Sequence, residues 1–256
     1  MITFSNKPCL ILFGGAGREG IIHRLIDHGI EIKKIVVPKV QSTKLKQSIQ
    51  SLKEIPVVIE KVGKEDLLIA LNLEDSAFLI SIGFPYIIPR EAFNRYEIAL
   101  NVHPTLLPKY RGPTTGAFII KNNEPITGST VHILEEEVDK GPIVAQSEVS
   151  LTPFDTIRSM QRKVYGKEAN LVIEAITKLE NGFIPIPQDE DLASIYTKVL
   201  KPEDSLIDSK KPLEKLIDDI RACDPIDFPA YFFYHGQKIF IKVWRSEKAN
   251  DEEDML

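Results

Sequence analysis

The stretch that organises this chain is Cys9-Leu10-Ile11-Leu12-Phe13-Gly14-Gly15-Ala16-Gly17-Arg18-Glu19-Gly20, near the amino terminus. It begins with a short apolar run, turns through glycines, and continues into apolar residues at helical spacing: Ile21, Ile22, Leu25 and Ile26. The apolar run predicts a buried strand, and the spacing after it predicts an amphipathic helix. A strand, a glycine turn and a helix in this order are typical of the start of a parallel α/β sheet.

The same alternation of strand and helix continues downstream. Strands are predicted at residues 32–37, 57–60, 78–82, 99–103 and 129–134, and helices at 65–73, 114–121 and 156–179. Residues 39–54 are polar and rich in lysine, and we expect a helix or an exposed loop there. This order predicts an α/β fold with a Rossmann-like, doubly wound, mostly parallel sheet, in a main domain of residues 1–188.

The chain changes character after Ile184-Pro185-Ile186-Pro187. A helix is predicted at 213–223, and His235-Gly236-Gln237 joins two aromatic, β-rich runs at 230–234 and 238–244 as a hairpin. We therefore expect a small C-terminal helix-plus-β-hairpin subdomain at residues 189–246 and an acidic, disordered tail at 247–256. The aromatic residues of this region could stack a nucleotide base, but they favour a homodimer interface: Phe228, Tyr231, Phe232, Phe233 and Tyr234.

Composition limits the classes of function. The chain has 256 residues and a formal net charge of −5, and a negative balance argues against binding the phosphate backbone of a nucleic acid. No apolar run approaches the ~20 residues of a membrane helix, and the amino terminus lacks a signal-peptide pattern. The two cysteines, Cys9 and Cys223, have neither metal-site nor disulfide spacing. We expect a cytoplasmic protein with reduced thiols, no metal and no membrane partner.

The glycine turn fits the pattern GxGxxG at residues 15–20. A dinucleotide site would also need an acid about 20 residues further on, and Val36-Val37-Pro38-Lys39 contains none. NAD binding is therefore disfavoured. A plain tight turn remains open, but we expect the amides near Gly17, together with Arg18, to approach a phosphate or sugar of the substrate.

A second motif lies in Asn101-Val102-His103-Pro104-Thr105-Leu106-Leu107-Pro108-Lys109-Tyr110-Arg111-Gly112. Asn101 and His103 are two residues apart at the end of a predicted strand, so their side chains share a face where open α/β sheets place ligand sites. An amide can stabilise an oxyanion, an imidazole can take a proton from an amine, and a carboxylate such as Asp139 can orient that imidazole. No serine or cysteine is placed as a nucleophile, which favours direct acyl transfer to an amine.

These motifs resemble those of the 10-formyltetrahydrofolate-dependent formyltransferases. That family carries Asn-x-His-Pro-Ser-Leu-Leu-Pro-x-Tyr-Arg-Gly, then a Gly-x-Thr strand, then Asp-x-Gly. This chain has Thr105 in the serine place, Gly128-Ser129-Thr130, and Asp139-Lys140-Gly141. The resemblance implies that residues 1–188 form the catalytic domain, with Asn101 as the oxyanion donor, His103 as the base or oxyanion partner, and Asp139 as the carboxylate that positions His103 or a proton-relaying water.

The resemblance also implies two binding regions. The co-substrate would be 10-formyltetrahydrofolate, held by residues of two loops and the strand before the first: Ser81, Gly83, Phe84, Tyr86, Ile87, Ile88, Glu135 and Val138. The second substrate would contact Gly17, Arg18, Thr105, Lys109 and Arg111, whose cations would face a diphosphate. A solvated loop charge is the alternative for Lys109.

Relatives within this family differ in their acceptor. Glycinamide ribonucleotide transformylases resemble residues 131–146 closely but end near the long helix, and methionyl-tRNA formyltransferases continue into a larger basic barrel that holds tRNA. Sugar N-formyltransferases match the length of this chain, and Pro113 follows Arg111-Gly112 as it often does in them. The resemblance therefore implies transfer to the amino group of a UDP- or dTDP-linked amino deoxy sugar, for a surface glycan. The other two acceptors, and hydrolysis of the formyl donor, remain alternatives.

Overall fold

The sheet at the centre of the protein follows the predicted alternation of strands and helices. The structure is a computed structural model that describes residues 3–4, 7–72, 78–248 and 250. Within these residues seven strands form one sheet in the order β3-β2-β1-β4-β5-β6-β7. They are β1 (Pro8–Phe13), β2 (Glu31–Pro38), β3 (Val58–Val62), β4 (Phe78–Ile82), β5 (Ile98–His103), β6 (Ile126–Ile133) and β7 (Ile143–Ser150). Strands β1 to β5 are parallel, β6 is antiparallel to β5, and β7 is antiparallel to β6.

Helices cover both faces of this sheet. The helices of the described residues are α1 (Gly20–Asp27), α2 (Thr43–Ser51), α3 (Leu67–Ala70), α4 (Arg90–Phe93), α5 (Gly116–Lys121), α6 (Ile157–Glu180) and α7 (Leu213–Arg221), with short 3₁₀ turns at Leu52–Glu54, Glu190–Leu192 and Pro202–Ser205. One core cluster packs residues of α1, α2 and α6 against the sheet, and a second packs residues of α3 and α4 against its other face. The predicted doubly wound, mostly parallel fold is therefore confirmed.

Several elements differ from the sequence prediction. Strand β7 and helix α4 were not predicted, and of the helix expected at 65–73 only Leu67–Ala70 is helical, with residue 73 outside the described residues. β7 lies at the edge of the sheet and exposes several of its side chains, so its apolar pattern is weak. The long helix is close to the prediction because its end signals are strong: Thr156 and Ser159 form a capping box, and Gly182 follows the C-cap in the left-handed conformation.

The C-terminal region contains the predicted helix and hairpin. Strands β8 (Tyr231–Tyr234) and β9 (Gln237–Phe240) pair around His235 and Gly236, which both have positive φ, as a two-residue hairpin turn requires. The predicted domain boundary at residue 188 stays a prediction. Main-chain hydrogen bonds join the segment after residue 188 to the loop after β5. Most of the predicted acidic tail lies outside the described residues.

A buried ion pair joins the glycine turn to the long helix. The Arg18 guanidinium donates from Nε to Glu168 Oε2 (2.6 Å) and from Nη2 to Glu168 Oε1 (2.8 Å). Arg18 Nη2 also donates to the Val102 carbonyl, and the Ser129 hydroxyl donates to Glu168. Both charged side chains are almost completely buried. The pair therefore ties the glycine turn before α1 to β5, β6 and α6 near the carboxyl end of β5.

No helix in the described part of the chain is long and apolar enough to cross a membrane. The thiols of Cys9 and Cys223 are both free.

We predict that Glu168→Ala destabilises the fold far more than a matched change on the same helix. Without Glu168 the Arg18 charge stays buried and unpaired, which costs ~3–5 kcal/mol of unfolding free energy. Glu174 of α6 forms an exposed i,i+4 pair with Lys178, and Glu174→Ala should cost at most ~0.5 kcal/mol. Urea unfolding of both variants checks this, and equal losses would contradict it.

Candidate active site

The carboxyl end of β5 carries the predicted amide and imidazole. Asn101 pairs in register with Ser81 of β4 on one side and with His132 of β6 on the other. Asp139 comes from the loop between β6 and β7, where its φ of 57° is in the left-handed region. The structure thus brings Asn101, His103 and Asp139 together, and adds His132.

The imidazole of His103 is buried and has a defined tautomer. Its Nε2 lies 2.9 Å from the Tyr110 carbonyl, which can only accept, so Nε2 carries the proton and Nδ1 keeps a lone pair. Nδ1 lies 3.5 Å from Asp139 Oδ2. Burial lowers the pKa of His103 below its usual value, and this outweighs the opposing effect of the Asp139 charge. His103 is therefore a neutral base with an open nitrogen at neutral pH.

Asp139 supplies the negative charge of the cluster. Its Oδ2 accepts a hydrogen bond from the Gly112 backbone N–H (2.8 Å). Burial alone would raise the pKa of Asp139, but the imidazoles of His103 and His132 and the Gly112 amide hold it well below its usual range. The carboxylate is therefore ionised beside a neutral imidazole, where it can stabilise a proton that arrives on His103.

The amide of Asn101 is oriented by His132. His132 Nδ1 lies 2.8 Å from the Ile133 carbonyl, so that nitrogen donates and Nε2 accepts from Asn101 Nδ2 at 3.1 Å. The same Asn101 Nδ2 lies 3.4 Å from Asp139 Oδ1, at the long end of hydrogen-bond distances. One N–H is thus committed to His132, while the other is held only by a weak contact and can turn to an incoming oxygen.

The loop after β5 provides the acceptor for His103. Tyr110 has a φ of 60°, which is uncommon for a bulky residue, and its hydroxyl is bonded to Glu124 and Asn122. Gly112 has a φ of 103°, and a Cβ there would lie 1.9 Å from the Tyr196 carbonyl oxygen. Tyr110 and Gly112 belong to the quoted motif, but no role was predicted for them. Their hydrogen bonds to His103 and Asp139 are made by main-chain atoms, which residue type does not indicate.

The predicted substrate contacts are mostly engaged within the protein. Arg18 is paired with Glu168, and Arg111 with Glu190 and Gln188. The remaining three are Gly17, whose N–H donates to the Ser48 hydroxyl, Thr105, which is fully buried, and Lys109, which is exposed. A phosphate would have to exchange with these internal partners to bind Arg18 or Arg111. Their substrate contact stays a prediction, and the structure gives both arginines a role in holding elements together.

The residues predicted to hold the folate lie on two adjoining loops and the adjacent end of β4. Arg90 and Glu136 form a 3.2 Å ion pair between the segments after β4 and after β6. Ser81 is buried beside Asn101, and the other predicted residues are partly or fully exposed: Gly83, Phe84, Tyr86, Ile87, Ile88, Glu135 and Val138. Phe84 and Tyr86 meet edge to face at 5.3 Å, and the Ile87 and Val138 side chains are open to solvent. Exposed apolar side chains on these two loops are suited to a flat ring system, and the folate contact stays a prediction.

Metal chemistry has no evident site in the described residues. No group of three or more His, Cys, Asp and Glu side chains there is arranged to hold a metal ion.

Residues 30–176 match the family model described as formyl transferase. The chain is 28% identical to the methionyl-tRNA formyltransferase of Thermotoga maritima over 247 residues, 92% of this chain and 79% of that protein. It is also similar to the structure of a 4-N formyltransferase from Francisella tularensis, with a TM-score of 0.77 and 22% identity over 94% of this chain and 99% of that one.

A third relative has been solved with ligands. The N-formyltransferase from Helicobacter canadensis, in complex with folinic acid and dTDP-3-aminofucose, gives a TM-score of 0.63 and 19% identity over 84% of this chain and 80% of that one. At these identities the two structural matches show a shared fold.

We predict that NMR titration finds the pKa of the His103 imidazole below the ordinary ~6.5, and lower still in Asp139→Asn. The substitution keeps the volume and burial but removes the negative charge that raises the His103 pKa. Asp27→Asn, at an exposed position on α1, is the control and should leave the titration unchanged. An upward shift in Asp139→Asn would contradict the assigned electrostatics.

Proposed function

Because this chain belongs to the formyl transferase family, we propose that it transfers the formyl group of 10-formyltetrahydrofolate to the amino group of a nucleotide-linked amino deoxy sugar. The observation that carries the chemistry is the arrangement at the end of β5. A neutral His103 with a free Nδ1 lies beside the ionised Asp139, and the Asn101 amide is held next to both. Such a cluster can take a proton from an amine and stabilise an oxyanion without a covalent nucleophile.

The reaction follows from these three groups. The acceptor nitrogen attacks the formyl carbon, and the Asn101 N–H that is not bonded to His132 stabilises the oxygen as it becomes negative. His103 Nδ1 takes the proton of the attacking amine, and the Asp139 carboxylate stabilises the imidazolium. The carbon–N10 bond then breaks, and the proton passes to N10 as tetrahydrofolate leaves. The other ring proton stays on His103 Nε2, which donates to the Tyr110 carbonyl throughout.

A folate donor is supported by the loops beside this cluster. The partly buried Phe84 and Tyr86 and the exposed Ile87 and Val138 offer apolar surface on the loops that follow β4 and β6, the two strands that flank β5. Folinic acid is a ligand in the complex of the Helicobacter canadensis relative, which has the same fold. We propose that the pterin ring binds between these two loops.

The choice of acceptor rests on two observations. The Francisella tularensis 4-N formyltransferase matches over nearly the full length of both chains, and the Helicobacter canadensis relative is solved with a dTDP-linked amino sugar. Methionyl-tRNA is the second candidate, because the Thermotoga maritima relative with that activity is the more similar in sequence. The net charge of −5 disfavours tRNA, since phosphate backbones are bound by basic surfaces.

We also propose that the protein is a homodimer through its C-terminal hairpin. Phe233, Tyr234 and Phe240 are each more than half exposed on β8 and β9, and Trp244 follows with a similar exposure. Exposed aromatic side chains on both faces of a short hairpin indicate an interaction surface. A second copy of the same hairpin would cover them with a matching apolar face.

Acceptor specificity is tested by a direct panel. The protein is incubated with 10-formyltetrahydrofolate and, separately, with UDP- and dTDP-amino sugars, glycinamide ribonucleotide, charged initiator tRNA or water alone. Mass spectrometry should detect the gain of one CO unit on a nucleotide sugar only. Formylation of the tRNA, or release of formate without an acceptor, would replace the proposed function with one of its rivals.

We predict that His103→Ala and Asn101→Ala each lower kcat by roughly a hundredfold or more. Each removes a group that acts on the transition state, and a lost oxyanion donor is worth ~3 kcal/mol. The matched control is His28→Ala, at an exposed histidine beyond α1. Its rate should be that of the unmodified protein. Near-normal turnover of both site variants would reject the mechanism.

We predict that the double variant Phe233→Ser/Tyr234→Ser is monomeric in analytical ultracentrifugation, whereas the unmodified chain sediments as a dimer. Serine removes the aromatic area that the partner copy would cover. Ile69→Ser, at an exposed apolar residue of α3, is the control and should stay dimeric. A monomeric unmodified chain would refute the dimer.

A further inference from the structure

A single glutamine, Gln188, bonds to both loops that form the acid–base cluster. It lies two residues after Ile186, whose main chain pairs with Ile143 at the edge of the sheet. Its Nε2 donates to the Asp139 carbonyl (2.9 Å) and to the Gly141 carbonyl (2.7 Å). Its Oε1 accepts from Arg111 Nε (3.1 Å) and Nη2 (2.8 Å). All four hydrogen-bonding positions of the amide are therefore occupied.

These bonds close a ring around the Asp139 carboxylate. Gly112, the residue after Arg111, donates its N–H to Asp139 Oδ2, so the two loops already meet at that contact. Gln188 joins the same two loops a second time, through the main chain of Asp139 and the side chain of Arg111. With both bonds in place the Asp139 loop can neither turn nor withdraw without breaking hydrogen bonds in the interior.

The Arg111 end of this ring is itself anchored. Its guanidinium is almost completely buried and forms two hydrogen bonds with Glu190, and its main-chain N–H donates to the Ser194 carbonyl. Tyr196 donates its N–H to the Arg111 carbonyl and stacks on the Tyr110 ring. Residues 188–196, which we call the connecting segment, therefore hold Tyr110, the acceptor of His103, as well as Asp139.

From this geometry we propose that Gln188 is a positioning residue: it holds the Asp139 loop against Arg111 and Gly112, and so keeps the carboxylate beside His103. It needs no contact with either substrate. Asp139 has a left-handed backbone conformation, which is uncommon for a residue other than glycine, and Gln188 bonds directly to its carbonyl. The kinetic consequence rests on the proposed function, but the positioning itself does not.

The test measures how strongly Asp139 acts on His103. The titratable or charged groups that influence His103 are Asp139, His132 and Arg18. The His103 pKa is followed by NMR, without substrates, in the unmodified protein, Asp139→Asn, Gln188→Glu and the double variant. Gln188→Glu keeps an acceptor for Arg111 but loses both N–H donors to the Asp139 loop. If Gln188 positions Asp139, the pKa shift caused by Asp139→Asn should fall to about half or less in the Gln188→Glu background.

A change in the His103 pKa of the same size in both backgrounds, on Asp139→Asn, would overturn the proposal. Gln188→Met, which adds no charge, repeats the cycle and covers the case in which Gln188→Glu does not fold. Asp191→Ala, at an exposed position of the connecting segment, should leave the shift intact.

A kinetic measurement separates positioning from simple loss of stability. In Gln188→Glu, kcat should fall about tenfold or more while KM for the folate stays near its original value, because a displaced carboxylate affects the transition state and not binding. A higher KM with an unchanged kcat would contradict the proposal. Absence of formyl transfer by the unmodified protein would refute the proposed function, while the NMR cycle would still decide the role of Gln188.

Discussion

The negative charge of Asp139 is the constraint on which the site depends. Its carboxylate is only 10% exposed, and a carboxylate removed from water must be provided with donors or neutralised. The structure supplies the Gly112 and Asn101 amides as donors, and the unprotonated Nδ1 of His103 lies beside the carboxylate. Asn101 and His103 come from β5, Gly112 from the loop after it, and Asp139 from the loop after β6. The loops must therefore hold unusual backbone conformations to deliver these donors, as the positive φ values of Asp139 and Gly112 show.

The same charge explains why the imidazole is useful. Burial keeps His103 neutral, so its nitrogen is free to accept a proton, and the adjacent carboxylate makes that proton less costly to hold. A neutral base and a fixed anion are also what direct transfer to an amine needs, because no covalent intermediate has to be stabilised. The loop conformations at the site and the proposed proton transfer thus both depend on the neutral His103 ring beside the ionised Asp139.

The buried arginines show how the surrounding fold maintains it. Arg18 and Arg111 were expected to face a phosphate, but each forms a two-pronged pair with a glutamate, Glu168 or Glu190. Through these pairs the glycine turn is fastened to α6, and the loop after β5 to the connecting segment. Residues beyond position 188 therefore support the candidate site, although the change in composition there predicts a domain boundary.

Much of this could be predicted from the sequence, for physical reasons that apply locally. Periodicity of apolar residues predicts strands and helices, and a spacing of two residues places Asn101 and His103 on one face. Strand β7 was missed because an edge strand buries only part of each face. The role of Gln188 could not be predicted from the sequence, because a single glutamine belongs to no recognisable motif. The acceptors of its N–H groups are main-chain carbonyls about 50 residues away.

Local sequence patterns were therefore enough to predict the fold class, the strand that carries the amide and imidazole, and the kind of chemistry these residues favour. The tautomer of His103, the ionised state of Asp139 and the partners of both arginines follow only from the folded structure. Local spacing determines which side of a strand a residue faces. Burial, pKa and the pairing of Arg18 with Glu168, 150 positions apart, depend on contacts that exist only once the chain has folded.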